Sequence, residues 1–348
     1  MISHRRAAGL LALIASLSIP HVHAESSAEL EARIEALNQE LEALQRQLDQ
    51  QRRAEGVTSP AESVIHTRDR PVVQREEAKK PEPLEESLAE RRELERESVD
   101  NPFTIATHRL NYVLPVSHTT SPNASQFDLI DSEAGVDDME MKFQFSAKVN
   151  LWEGLFGDTG DLYFAYTQRS WWQAYNTDAS SPFRETNYEP ELFVDFANDH
   201  SFLGWTNSLN RVSFNHQSNG RSHRLSRSWN RLILESVFVR DDWALTLAPY
   251  WRLPESDGDD ENPDIERYMG YGDITLARRF AHDQEASLMV RGNPSAGNMG
   301  AQLDYSWPLF GNLRGYFQFY HGYGESMIDY DHRQNRFSLG VSFNPLLH

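Results

Sequence analysis

Met141-Lys-Phe-Gln-Phe-Ser-Ala-Lys-Val-Asn-Leu151 alternates apolar and polar side chains without a break, and nothing else in the chain restricts its fold as tightly. A period of two puts successive side chains on opposite faces of a β-strand. Shorter alternating runs follow at 162–171, 231–239, 243–251, 313–320 and 336–343. Their length approaches the ~9–11 residues that a tilted strand needs to cross a bilayer. Trp171, Trp172, Trp205, Trp229, Trp243, Trp251 and Trp307 stand near strand ends, as the aromatic girdles of outer-membrane barrels do. A soluble β-sandwich would alternate too, but it leaves the strand length and the flanking aromatics without a reason. The pattern therefore predicts an all-β fold, an antiparallel transmembrane β-barrel of about eight strands or more.

A mean hydropathy of −0.62 disfavours helical membrane spans. A barrel escapes that objection because half of each strand faces a polar lumen. The net charge of −19 argues against a nucleic-acid partner, which calls for a basic patch. The absence of cysteine rules out disulfides and thiolate chemistry.

Ahead of the barrel the chain changes character three times. Residues 1–24 carry Arg5-Arg6, a short apolar stretch and the small-residue ending Val22-His-Ala24, the pattern of a secretory signal peptide. Within 25–56, Leu30, Ile34, Leu37, Leu41, Leu44 and Leu48 recur at spacings of four and three, which predicts an α-helical coiled coil. Residues 57–100 are rich in Pro, Glu, Lys and Arg and read as a disordered linker. The barrel domain is then 101–348, with the N-terminal segment expected in the periplasm. The chain ends Phe343-Asn-Pro-Leu-Leu-His348, whereas many outer-membrane barrels end on Phe.

Chemistry concentrates at Val212-Ser-Phe-Asn-His-Gln-Ser-Asn-Gly-Arg221 and Arg227-Ser-Trp-Asn230. His216 and Ser218 share parity with Val212 and Phe214, so they lie adjacent on the apolar face. Asn219-Gly220 turns the chain, and Asn230 shares parity with Leu232 and Leu234. If the two strands pair, Asn230 comes to lie beside His216. A serine nucleophile, a histidine base and a third group that orients the imidazole are what acyl transfer needs. An isolated Ser before Asn-Gly is more often a turn residue, and a lone His on an apolar face more often packs. A hydrolytic site facing away from the polar side makes sense when that side touches lipid and the substrate is lipid.

The same residues resemble the active-site segment of the outer membrane phospholipase A family. Further matching stretches are Tyr166-Thr-Gln-Arg-Ser-Trp-Trp172, Ser180-Ser-Pro-Phe-Arg-Glu-Thr-Asn-Tyr-Glu-Pro190, Asn262-Pro-Asp-Ile265 with Tyr268-Met-Gly-Tyr271, and Gly322-Tyr-Gly-Glu-Ser326 with Ile328-Asp-Tyr330. They cover the chain from about residue 101 to its end. The resemblance implies a barrel of twelve strands that hydrolyses sn-1 and sn-2 ester bonds of phospholipids and lysophospholipids as a homodimer in the outer membrane. It implies Ser218 as nucleophile, His216 as base, Asn230 as the orienting group and the Gly220 N–H in the oxyanion hole. It also implies calcium, held by the carbonyls of Arg221 and Ser226 and by the Ser180 hydroxyl of a second subunit. Glu261 stands where the family has an acidic residue of a further calcium site, though His223 replaces an expected Asp there. Gln168 matches a polar residue of the family's dimer interface; a lumen-facing Gln is the alternative. A non-catalytic, porin-like or structural barrel is the rival reading of the whole chain, and a soluble esterase on a β-sandwich is a third.

Overall fold

The computed structural model describes Leu84, Leu88 and residues 105–130, 135–256, 258 and 260–347. The signal peptide and the coiled coil read from the sequence lie outside these residues. So does the linker, apart from Leu84 and Leu88.

Strand formation follows the alternation. In β3 (Met139–Trp152) Glu140, Lys142, Gln144, Ser146 and Lys148 are buried while Phe145 is exposed. This inverts the water-soluble rule, in which the apolar face is the one covered. β2 (Tyr112–Thr119), β3, β4 (Asp161–Trp172), β5 (Phe183–Phe202), β6 (Trp205–Ser218) and β7 (Ser228–Arg240) run antiparallel in chain order. β8 (Trp243–Arg252), β9 (Gly272–Arg279), β10 (Glu285–Asn293), β11 (Asn298–Phe310), β12 (Leu313–Gly322) and β13 (Gln334–Ser342) continue the series, and β13 pairs back onto β2. The result is a closed antiparallel barrel of twelve strands, β2 to β13. Closure leaves no unpaired sheet edge, the condition a β-structure must meet in hydrocarbon. A two-residue strand, β1 (Ala106–Thr107), adds onto β3. No helix among the described residues is long and apolar enough to cross a membrane.

The outward face is a band of Phe145, Phe164, Leu192, Phe214, Leu232, Leu288, Leu303 and Leu339, all exposed. The inward face is polar. Arg231 meets Glu189 at 3.1 Å, Arg109 meets Glu191 at 3.0 Å, and Arg336 meets Glu140 at 2.6 Å, each with at least one partner buried. These pairs join nearby segments on the lumen side, as buried charges must find partners.

Two tryptophans depart from the girdle expected of them. Trp171 and Trp229 are completely buried on the lumen side. The Trp229 indole donates to Gln217 Oε1 at 2.8 Å and lies under the Arg231 guanidinium, 4.3 Å from its ring centroid. Both residues have lumen parity, which nearness to a strand end does not reveal. Trp251 does project from the outer wall, 69% exposed.

One end of the barrel has tight turns, at Leu203-Gly204, Asp241-Asp242 and Gly311-Asn312. The C-terminal residues fold back at this end. Leu347 packs with Leu84, Leu88, Val239 and Ala244, and Leu346 packs with Tyr112, Leu114 and Tyr316. The opposite end carries the longer connections 219–227, 253–271 and 323–333. Of these, 323–333 dips inward: Glu325, Ser326, Met327, Ile328 and Asp329 are all buried. Its backbone is held by neighbouring strands, with Met327 N–H on Asn187 Oδ1 at 3.0 Å and Ile328 N–H on Glu185 Oε1 at 3.1 Å.

Candidate active site

The register of β6 against β7 sets His216 directly opposite Asn230 and Ser218 opposite Ser228. Phe214 faces Leu232 two residues further along on the same side, so His216, Ser218 and Asn230 belong to the outward, apolar wall. The position is the long-loop end of that wall, where all three are half-buried. His216 Nδ1 lies 2.9 Å from Asn230 Oδ1. With Nδ1 protonated the ring donates to the amide oxygen, and Nε2 is left as a lone pair able to take a proton. Among the described residues no hydrogen bond joins Ser218 to His216. The two are neighbours by parity only, and such contacts in unliganded sites often tighten with substrate.

A carboxylate in Asn230's place would put a charge on a wall facing lipid, at a cost of about 2–4 kcal/mol near the midplane and less toward the rim. The amide accepts the same imidazole N–H without that cost.

The loop after Ser218 is organised by Asn219, a residue the sequence marked only as a turn former. Its buried side chain accepts from Arg227 N–H at 3.0 Å and from Arg221 N–H at 3.3 Å, and donates to the Leu225 carbonyl at 2.8 Å. Gly220 then takes φ +63°, and a Cβ there would stand 2.9 Å from the Tyr188 ring. The position therefore needs glycine on two counts, backbone and space. Its N–H makes no hydrogen bond among the described residues. Gly220→Ala should leave the barrel folded and lower activity by shifting this N–H; normal heat-modifiable migration with undiminished turnover would show the turn to be irrelevant.

The oxygens of this loop suit a cation. Arg227 Nη1, itself cationic, sits 2.7 Å from the Ser226 carbonyl and 3.0 Å from that of Arg224. The Arg221 carbonyl accepts no hydrogen bond among the described residues. Ser226 Oγ donates to Glu261 Oε2 at 2.6 Å, which brings one acidic residue of the 253–271 connection onto the loop. No group of three or more His, Asp or Glu side chains positioned for a metal exists among the described residues. Any ion here would be held by carbonyl and hydroxyl oxygens, the ligands calcium accepts. His223 is exposed at the start of a single 3-10 turn.

Ser180 is not part of this cluster. It is exposed in the 173–182 connection, has φ +54°, and makes no side-chain hydrogen bond to 219–227 among the described residues. Gln168 shares the outer wall with Phe164 and faces Phe145 across the ladder, so it points away from the lumen. It accepts from the Tyr166 hydroxyl at 3.1 Å and donates to Ser170 Oγ at 3.4 Å.

Residues 88–343 match the family described as Phospholipase A1. Phospholipase A1 of Escherichia coli K12 and that of Proteus vulgaris are each 41% identical over 249 residues, covering 71% of this chain and 84% of those proteins. Among solved structures, the Salmonella typhi outer membrane phospholipase dimer with bound calcium is similar at 39% identity and a TM-score of 0.67, over 71% of this chain and 94% of that one. Escherichia coli outer membrane phospholipase A is similar at 40% identity and the same TM-score and coverage.

Proposed function

The chain belongs to the phospholipase A1 family, and from that premise we propose that it is a calcium-dependent outer-membrane enzyme that hydrolyses sn-1 and sn-2 acyl esters of phospholipids and lysophospholipids. The observation that carries this is the 2.9 Å contact between His216 Nδ1 and Asn230 Oδ1 on the lipid-facing wall, with Ser218 next along the same face.

In this mechanism Ser218 Oγ attacks the ester carbonyl carbon while His216 Nε2 takes its proton. The lysolipid hydroxyl leaves with that proton, and the acyl group remains on Ser218. A water then loses a proton to His216 and attacks the acyl-enzyme, so that the fatty acid departs and Ser218 recovers its hydrogen. Asn230 holds the ring throughout. The Gly220 N–H points its dipole at the oxyanion of both tetrahedral intermediates. Calcium, held by the carbonyls of Arg221 and Ser226 with Glu261 close by and Ser180 contributed by a second copy of the chain, would supply positive charge at that oxyanion. Arg227 must release the Ser226 carbonyl for this.

This ligand set calls for a dimer, with Ser180, which makes no side-chain hydrogen bond to its own 219–227 loop among the described residues, reaching the loop of the second copy. Gln168 on the outer wall would pair with its counterpart across the two-fold axis. Such an amide pair is worth about 1–2 kcal/mol in hydrocarbon model systems. In outer-membrane barrels the short turns face the periplasm. The catalytic rim would then face outward, and self-association through the heptads of 25–56 would bias two copies toward each other.

The test is release of fatty acid from phosphatidylcholine in mixed micelles, with calcium and with excess chelator. Turnover should need millimolar-class calcium, as expected of a site without an obligatory carboxylate cage, and should stop in chelator. Full activity in chelator would refute the calcium reading, and no hydrolysis under any condition would favour the porin-like alternative.

A further inference from the structure

Asn230 has a second hydrogen bond. Its Nδ2 donates to Glu255 Oε1 at 3.1 Å. Glu255 follows β8 at the start of the 253–271 connection, which is drawn against Asn230 by a backbone bond from Leu253 N–H to the Asn230 carbonyl at 2.8 Å. The Glu255 side chain is 16% exposed, and its other oxygen is buried with no hydrogen-bond partner; the nearest cation, Arg252 Nη2, stands 3.8 Å away. Arg252 itself is committed to Asp260 at 2.6 Å and to the Asn262 carbonyl at 3.1 Å.

An amide at the orienting position carries a risk that a carboxylate does not. Asn presents an acceptor on one side and a donor on the other, and a half-turn exchanges them. With Oδ1 toward His216, the proton stays on Nδ1 and Nε2 is free to act as base. With Nδ2 toward His216, the ring must offer the Nδ1 lone pair, its proton moves to Nε2, and the base is lost. Glu255 as a carboxylate only accepts, so it bonds Nδ2 and fails to bond Oδ1. Burial makes the unmatched alternative expensive, since it would turn two acceptors on each other.

We propose that Glu255 is a positioning residue that locks the Asn230 amide, and through it the tautomer of His216. This rests on the triad reading given above. The charge stands one side chain away from the imidazole, 3.8 Å from Arg252 Nη2, and polarises the amide toward His216.

The experiment uses the full chain in phosphatidylcholine mixed micelles at saturating calcium, with heat-modifiable migration as the check on folding. Glu255→Ala should lower kcat about tenfold, the scale on which loss of an orienting partner is commonly felt, with KM unchanged. Glu255→Gln, whose amide can donate to Asn230 Oδ1 as readily as it accepts from Nδ2, no longer excludes the flipped orientation and should also lose activity, by less than the alanine variant. In the Asn230→Ala background Glu255→Ala should cost nothing further, because its only route to the histidine is gone. Glu255→Met, matching the side chain in bulk without its acceptor, serves if the alanine variant does not fold. Wild-type kcat in the Ala or Met variant overturns the proposal, as does a loss that persists undiminished in the Asn230→Ala background. An inactive wild type strikes the phospholipase reading instead, and an active Ser218→Ala strikes the triad.

Discussion

Ser218→Ala is expected to bring phosphatidylcholine hydrolysis down by about 10⁴-fold or more, because nucleophile and base act as one unit. His216→Ala should fall equally far, and the double variant should be no worse than either single one. That non-additivity separates a shared covalent step from two independent contributions. Asn230→Ala should retain measurable turnover, since it holds the ring rather than carrying the proton. None of the three should disturb the barrel: the side chains stand half-buried on the outer wall at the rim, and the ladder from β6 to β7 runs through their backbone. Fatty-acid release by titration, with gel migration recorded on the same samples, decides the matter. A Ser218→Ala protein turning over at the wild-type rate would remove the nucleophile assignment.

How far these features could be read beforehand depended on whether they were periodic. β3 declared itself because Met141 to Leu151 never breaks step, and the pairing of His216 with Asn230 followed from parity on two adjacent strands. Parity alone did not say which wall faced lipid for a strand whose neighbours are mixed, as with Gln168. The barrel answers by burying Ala165 and Thr167 while leaving Phe164 exposed. Trp171 and Trp229 misled because an aromatic near a strand end has two places to go, and theirs lie inside. Asn219 is legible only as a turn former, Arg227 only as part of its motif and Glu255 not at all, since each acts through a loop whose path is set by tertiary contacts and not by any local period. The stretch from Gly322 to Tyr330 carries a family motif, but its work lies in the buried polar core.

That core supports the second large expected effect. Glu325 reaches down from the 323–333 connection to accept from Lys142 Nζ at 2.9 Å and from Arg336 Nε at 2.9 Å. Arg336 also meets Glu140 at 2.6 Å, and Arg184 spans Glu140 at 3.0 Å and Asp329 at 2.6 Å. The cluster is balanced, with Glu140, Glu325 and Asp329 set against Lys142, Arg184 and Arg336, all of them buried. Burial by itself would raise the Glu325 carboxyl, but Arg336 and Lys142 outweigh it and hold that group well below the ordinary carboxylate range. A depressed folded-state value means the stabilisation is present above the usual carboxylate range and is lost only as pH falls through the folded value. Acid alone should therefore loosen this contact only at strongly acidic pH. Glu325→Gln removes the charge at every pH and leaves Lys142 and Arg336 sharing too few anions. Breaking one partner of a buried pair costs about 3–5 kcal/mol, and the urea midpoint of the refolded protein in lipid vesicles should fall accordingly. Lys142→Met combined with Glu325→Gln restores the balance of charge, so the double variant should be more stable than Glu325→Gln alone. If the two losses simply add, the cluster stabilises by shape and hydrogen bonding at each position separately, and charge balance is not what ties the 323–333 connection into the barrel.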